Sequence, residues 1–173
     1  MYFIENNKFE TLSNKRKFDI SCLKDENKPK LKYSEYQYQS NNSKYAGEWL
    51  GGFRHGKGTQ TFANGSSYVG DWFLGRAHGK GRFHNTITGY TYEGDFYDDV
   101  IHGQGKFECN GAVYIGPFNR ELKEGDGYEK DEDGNVYIGN FFEGRKDGFG
   151  RMTYATGVTY VGMWYEGKVN GFG

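Results

Sequence analysis

The chain of 173 residues has little of what marks several common protein classes. It has 2 prolines, and its glycines follow no three-residue period, which excludes collagen. Its 2 cysteines, Cys22 and Cys109, are too few for a disulfide framework, so we expect reduced thiols in a cytoplasmic protein. No apolar run approaches the roughly 20 residues that cross a bilayer. The apolar start at residues 1–4 stops at Glu5, too early for the core of a signal peptide.

An excess of one sign of charge is also missing, since 22 Lys and Arg stand against 23 Asp and Glu. Residues 1–44 carry 9 basic and 6 acidic side chains, and residues 45–173 carry 13 and 17. No basic field of the kind that binds nucleic acid is present, and we expect no nucleic-acid partner. The short cluster Lys15-Arg16-Lys17 would give only weak contact with an anionic membrane.

Glycine and aromatic residues are what the chain has in excess, with 28 Gly and an aromatic share of 18%. So much glycine disfavours helices, because each costs about 1 kcal/mol in a helix interior. Residues 1–44 contain no glycine, which predicts a boundary there. We expect residues 1–44 to be a mostly extended or disordered arm. Within it, residues 33–38 are expected to be extended and either to pair with the following hairpin or to cover its aromatic face.

The glycines mark a repeat of 22 to 24 residues in 45–173. A Gly follows the first Tyr of each unit by two residues, an aromatic ring follows by four, and a Gly-x-Gly pair occupies the eleventh and thirteenth positions after it. The six units begin at Tyr45, Tyr68, Tyr92, Tyr114, Tyr137 and Tyr160. The glycines of the Tyr-x-Gly step, which we assign a structural role, are Gly47, Gly70, Gly94, Gly116, Gly139 and Gly162.

This spacing predicts one β-hairpin per unit. Tyr, Gly and the next aromatic share one face of a strand, so the two rings can cover the glycine between them. Residues 51–56 are expected to form the hairpin loop, with the second strand after the Gly-x-Gly pair. That strand would add Phe62, Phe83, Phe107, Met152 and Tyr154 to the same face. The prediction is an all-β fold, an elongated single-layer antiparallel sheet of six stacked hairpins whose twelve strands span roughly 55–60 Å.

Units three and four depart from the pattern. Asp99 and Glu121 replace a loop glycine, and Pro117 lies in a first strand. The residues after the Gly-x-Gly pair of unit four, 128–131, suggest shifted parity, so we expect the sheet to bend or bulge there. The sequence stops at Gly173, which predicts that unit six lacks its second strand. Either the resulting edge accepts a strand from another chain, or the sequence is part of a longer protein.

Three features imitate chemical sites. Residues 51–57 resemble a P-loop but continue with Gly58 rather than Ser or Thr. His55, His78 and His102 recur at one repeat position, where neighbours lie about 9.6 Å apart and cannot converge on one Zn²⁺. Acidic clusters lie in predicted turns without a nucleophile and base beside them. We therefore expect no catalytic residues, no metal and no cofactor.

The pattern Tyr-x-Gly-x-(Trp/Phe) followed by Gly-x-Gly resembles the MORN repeat (membrane occupation and recognition nexus) across 45–173. MORN arrays occur in radial-spoke heads of cilia and in apicomplexan cytoskeletal scaffolds. The resemblance therefore implies a non-catalytic scaffold in a cytoskeletal assembly such as a ciliary axoneme, with other protein chains as partners. We expect a helix or an extended peptide to lie on the aromatic face. The six residues expected to contact it are Tyr68, Trp72, Tyr92, Phe96, Tyr137 and Phe141.

Two alternatives stay open at this point. Junctophilins carry similar repeats, which implies a membrane tether that binds anionic phospholipids, although the net charge of residues 45–173 opposes strong attraction. Similar repeats also precede kinase domains in plant phosphatidylinositol-phosphate kinases and a methyltransferase domain in a histone-lysine enzyme. The chain would then be the regulatory module of a longer enzyme.

Overall fold

The computed structural model describes residues 31–171, which form one antiparallel sheet of 14 strands. Sequence neighbours are neighbours in the sheet throughout, except that β8 pairs with both β9 and β10. No helix occurs in this range, and none is therefore long and apolar enough to cross a membrane. The strands are β1 Lys32–Gln37, β2 Lys44–Leu50, β3 Phe53–Thr61, β4 Ser67–Phe73, β5 Arg76–His84, β6 Thr91–Tyr97, β7 Val100–Cys109, β8 Ala112–Asn119, β9 Leu122–Lys123, β10 Gly125–Lys130, β11 Val136–Phe142, β12 Arg145–Thr153, β13 Thr159–Tyr165 and β14 Lys168–Asn170.

The predicted all-β sheet of stacked hairpins is confirmed, but the loop inside each hairpin is shorter than expected. Only two residues connect the strands of a unit, and both have positive φ, as in a type I′ turn. In units one to five the Gly-x-Gly pair therefore lies within the second strand instead of preceding it. The second turn residue is Gly in four units, but Asp99 (φ 70°) and Glu121 (φ 72°) adopt the same left-handed conformation.

Successive turns are hydrogen-bonded to each other. The N–H of the second turn residue donates to a carbonyl two residues past the turn of the preceding unit, as from Gly75 to Arg54 at 2.8 Å. Asp99 to Ala77 and Glu121 to Ile101 repeat this bond at 3.0 and 2.9 Å. The turns thus form a bonded edge along the array.

A bulge recurs in the hairpins of several units. The sequence had predicted a bend or bulge in units three and four alone. In unit one Gly47 pairs with Gly58, but Trp49 pairs with Arg54, so three residues of β3 face Glu48 alone. The same shift follows Gly70, Gly94 and Gly139. Unit four differs because the ladder is interrupted at Glu124, whose N–H donates to the carbonyl of Pro117 at 3.0 Å.

The predicted change of parity in unit four is wrong. Tyr128 pairs with Ile138 and Glu129 pairs with Tyr137, the register in which Phe83 pairs with Tyr92. The side chain of Glu129 therefore lies on the same face of the sheet as its partner Tyr137, at the position that Phe83 occupies in unit two. The parity rule placed its side chain on the wrong face because it assumed that a core position is apolar.

The N-terminal end of the described sheet agrees with expectation, and the other end does not. The extended stretch at residues 33–38 belongs mainly to β1, which pairs with β2 in the first of the two predicted arrangements. Ser34 faces Gly47 there as Gly58 faces Gly70 further along. Unit six has a short second strand, β14, although none was expected. The number of strands exceeds twelve because β1 is added and because the second strand of unit four is divided into β9 and β10.

Candidate functional site

One face of the sheet, called here the ring face, carries a continuous row of twelve aromatic side chains. Each tyrosine at the start of a unit contacts the aromatic residue four positions later, and in units one to five it also contacts the equivalent residue of the next unit. Ring centroids lie 4.9–5.7 Å apart with nearly perpendicular planes. Edge-to-face pairs of this kind each contribute about 0.5–1.5 kcal/mol beyond burial. In order the rings are Trp49, Tyr45, Trp72, Tyr68, Phe96, Tyr92, Phe118, Tyr114, Phe141, Tyr137, Trp164 and Tyr160.

Each tyrosine of this row lies flat over the glycines of its own hairpin. A Cβ on Gly47 would be 2.6 Å from the hydroxyl of Tyr45 and 2.5 Å from the Cα of Gly58, so only glycine fits. The hydroxyl donates to the carbonyl three residues later, at 2.9–3.2 Å in all six units. Burial raises the pKa of Tyr137 to about 12, so its hydroxyl is protonated and donating at neutral pH and stays so further into the alkaline range than an exposed tyrosine.

The six side chains expected to contact a partner all lie in this row. Tyr68, Tyr92 and Tyr137 are 0% exposed, and Trp72, Phe96 and Phe141 are 2–3% exposed. They form the core of the sheet and offer almost no surface. A binding role for these rings stays a prediction, because a partner makes contact through side chains that reach solvent.

The ring face also contains charged groups that sequence reasoning did not find. The carboxylate of Glu129 accepts hydrogen bonds from the ammonium groups of Lys123 and Lys146, the latter at 2.8 Å. All three side chains are about one fifth exposed, and both ammonium groups lie over rings of the row. Burial would raise the pKa of Glu129, but the two lysines hold it below its usual range. The sequence does contain a signal for this cluster, because Lys123 and Lys146 stand at the same repeat position, nine residues after the first tyrosine, in two adjacent units.

A second buried cation lies at the other end of the row. Arg54 donates to the amide oxygen of Gln60 at 2.8 Å and to the carbonyl of Gly75, and its guanidinium lies 4.1 Å from the Trp72 ring centre. Nearby, Asp99 accepts the N–H of Ala77 at 2.7 Å, and burial raises the pKa of this carboxyl to about 6. These groups are bonded within the sheet and act in packing.

The opposite face of the sheet, formed by the alternate residues, is where large side chains reach solvent. In units one to three it carries ion pairs between neighbouring units, Lys57 with Asp71 and Lys80 with Asp95. A shallow open depression runs over the glycine backbones between Val69 and Ile115. Large apolar side chains are also exposed there in units two and three, at Val69, Phe73 and Tyr97. They are more numerous in units four to six, where those at least 45% exposed are Ile115, Ile138, Phe142, Phe149, Val161, Met163 and Tyr165.

The three repeated histidines lie on this opposite face, separated by aromatic rings. Phe73 lies between His55 and His78, with ring centres 5.3 and 5.7 Å away, and Tyr97 lies between His78 and His102. Across residues 31–171, no group of three or more His, Cys, Asp or Glu side chains is placed to hold a metal ion. The histidines pack against these rings, and burial lowers the pKa of His55.

Comparison with known proteins identifies the repeats. The family model described as the MORN repeat matches residues 45–67, 68–86, 92–111 and 137–159. None of the curated proteins matches the chain. Among solved structures, the chain is similar to the "SAS-4 (dCPAP) TCP domain in complex with a Proline Rich Motif of Ana2 (dSTIL) of Drosophila Melanogaster". The two share 12% identity over 76% of this chain and 77% of that one, with a TM-score of 0.42.

Proposed function

Because this chain belongs to the MORN-repeat family, we propose that it is a non-catalytic scaffold that holds other proteins in a large cytoskeletal assembly. MORN repeats are in general non-catalytic modules that interact with proteins or membranes. One observation carries the proposal: a single-layer sheet whose ring face is packed with buried rings while its opposite face exposes large apolar side chains. A sheet face that is apolar and uncovered favours a protein partner.

The proposed cellular setting is the cytoplasm, at the cytoskeleton and in particular at a cilium of the radial-spoke type. The occurrence of MORN arrays in such assemblies supports it. Fluorescence microscopy of the tagged full chain checks this part, and a signal spread evenly through the cytoplasm would contradict it.

Two places on the sheet are proposed as contacts for the partner. The first is the opposite face, where a helix or an extended peptide would cover exposed apolar side chains. The second is the edge at β13 and β14, since residues 159–162 have a strand partner only on the β12 side among the described residues. A partner strand added there would complete their hydrogen bonds.

Native purification of the full chain followed by chemical crosslinking tests the proposal. We expect co-purifying proteins to crosslink to the opposite face or to the β13 edge. Sedimentation with anionic liposomes at physiological salt runs in parallel, because a membrane tether would bind them and a protein scaffold would not. Lipid-dependent sedimentation without crosslinked protein would overturn the scaffold in favour of the tether.

A further inference from the structure

The opposite face changes character at one repeated pair of positions. In the first units this pair is a lysine facing an aspartate of the next unit, at 2.5 Å for Lys57 and Asp71. The equivalent pair between β12 and β13 is Phe149 facing Met163. Their side chains are 60% and 49% exposed, so the ion pair has been replaced by two apolar groups that reach solvent.

An arginine lies at the centre of this apolar area. In the register of the sheet Arg151 lies between Ile138 on β11 and Val161 on β13, which are 55% and 45% exposed. It follows Phe149 by two residues and so points to the same face. Ile138, Phe149, Arg151, Val161 and Met163 are called here the opposite-face patch.

The charge of this arginine is not matched by an acid on the sheet. Arg151 is exposed and forms no ion pair with any residue in 31–171. The same row nearer the N terminus carries an acid, since Glu93 lies in register between Arg82 and Lys106, and Lys106 forms an ion pair with Glu108 at 2.7 Å. An apolar surface around one unmatched guanidinium is the kind of site at which arginine contributes strongly to binding.

We propose that the opposite-face patch binds a segment of another protein that presents apolar side chains around one carboxylate. This rests on the proposed function and names the partner chemistry of that face. Covering the apolar side chains supplies affinity, and a bidentate pair between the carboxylate and Arg151 fixes the register. A second copy of the chain fits less well, because a two-fold interface would bring two Arg151 side chains together. A membrane fits less well because one arginine adds only about 1 kcal/mol of attraction to anionic lipid.

Selection from a displayed library of random peptides on the full chain tests this proposal. The peptides are about 12–15 residues long, because a helix of that length, at 1.5 Å per residue, would cover the patch. The variant is Val161→Asp, which puts a charge into the patch. The matched control is Val69→Asp, at the same repeat position in unit two and 51% exposed. Circular dichroism confirms that both variants keep the sheet.

We expect enriched peptides to combine apolar residues with an Asp or Glu, to bind the control normally, and to bind Val161→Asp at least about tenfold more weakly. On Arg151→Glu the acidic peptides should lose affinity, and replacing their acid by Lys should restore it. Equal binding to Val161→Asp and the wild type, or enrichment without an acid, would overturn the patch. Two other results would also overturn the proposal. In the first, the wild-type chain forms a dimer that Val161→Asp dissociates. In the second, the wild-type chain binds anionic vesicles and Val161→Asp does not.

The same data separate this inference from the scaffold itself. Peptides that bind elsewhere on the sheet would leave the scaffold standing and remove the patch. If no peptide is enriched and no protein is crosslinked in the native purification, both the patch and the scaffold proposal are refuted.

Discussion

The carboxylate of Glu129 provides the sharpest test of how the ring face is held together. Replacing it by Gln keeps its shape but leaves Lys123 and Lys146 without a negative partner. Breaking a fully buried ion pair costs about 3–5 kcal/mol. Since Glu129 is 19% exposed and Gln still accepts one hydrogen bond, we expect a loss of about 2 kcal/mol in the free energy of unfolding.

The pH dependence gives the prediction a sign. Because the folded-state pKa of Glu129 lies below its unfolded value, its stabilisation is fully present above the unfolded pKa, near 4.5. It is lost as the pH falls through the folded pKa. The difference in stability between wild type and Glu129→Gln should therefore be constant near neutral pH and shrink below the unfolded pKa.

Urea unfolding at several pH values measures this difference, and hydrogen exchange should locate the loss in β10–β12, because an array of repeats can open locally. The control Glu132→Gln removes an exposed acid of the same unit and should change stability by less than about 0.5 kcal/mol. Equal stability of Glu129→Gln and wild type at pH 7 would refute the reasoning. So would a difference that persists unchanged in acid.

Three further outcomes follow from the backbone and from one carboxyl group. Gly139→Ala should lower the free energy of unfolding in urea by at least about 3 kcal/mol, since its Cβ would lie 2.5 Å from the Cα of Gly150. In Gly89→Ala the new Cβ meets no atom within 4 Å, so the loss should be only about 1 kcal/mol, caused by the positive φ of that residue. Glu121→Gly should raise the unfolding midpoint by relieving the left-handed backbone, a gain of about 0.5–1 kcal/mol, and a lowered midpoint would contradict this. Burial raises the pKa of Asp99 to about 6, so the wild type should lose stability relative to Asp99→Asn as the pH rises from about 4 to about 6, and parallel pH profiles of the two melting temperatures would disprove it.

The sequence predicted those parts of the fold that repeat strictly. Tyr-x-Gly-x-aromatic spacing was enough to place Tyr68 and Trp72 on one face, because the strand period of two leaves no other arrangement. The two-residue turns were missed because Asp99 and Glu121 hid the left-handed position that Gly marks elsewhere. The inward side chain of Glu129 was missed because its neutralisation depends on Lys146 of the next unit, a contact that no local pattern encodes.

The candidate contact surface was harder to predict than the core. Large aromatic residues are the common signal for both a core and a binding face, and here all six predicted residues belong to the core. The exposed residues Phe149 and Met163 stand at repeat positions where the other units carry mostly charged or polar side chains, whereas the position of Ile138 is apolar in most units. Their place on one exposed face becomes apparent only when the two faces of the sheet are separated by register, which requires knowing that the strand continues through the Gly-x-Gly pair.

The row of rings has a consequence for length. The tyrosines of units one to five each complete their packing with a ring of the following unit, and the turns are bonded in the same stepwise manner. A whole unit could therefore be gained or lost without creating a new kind of contact, and each unit would change the distance between the ends by about 9.6 Å, two strand spacings. A partner held near β1 and another near β13 would be separated by a distance set by the number of units. Gene duplication could change that distance only by whole hairpins.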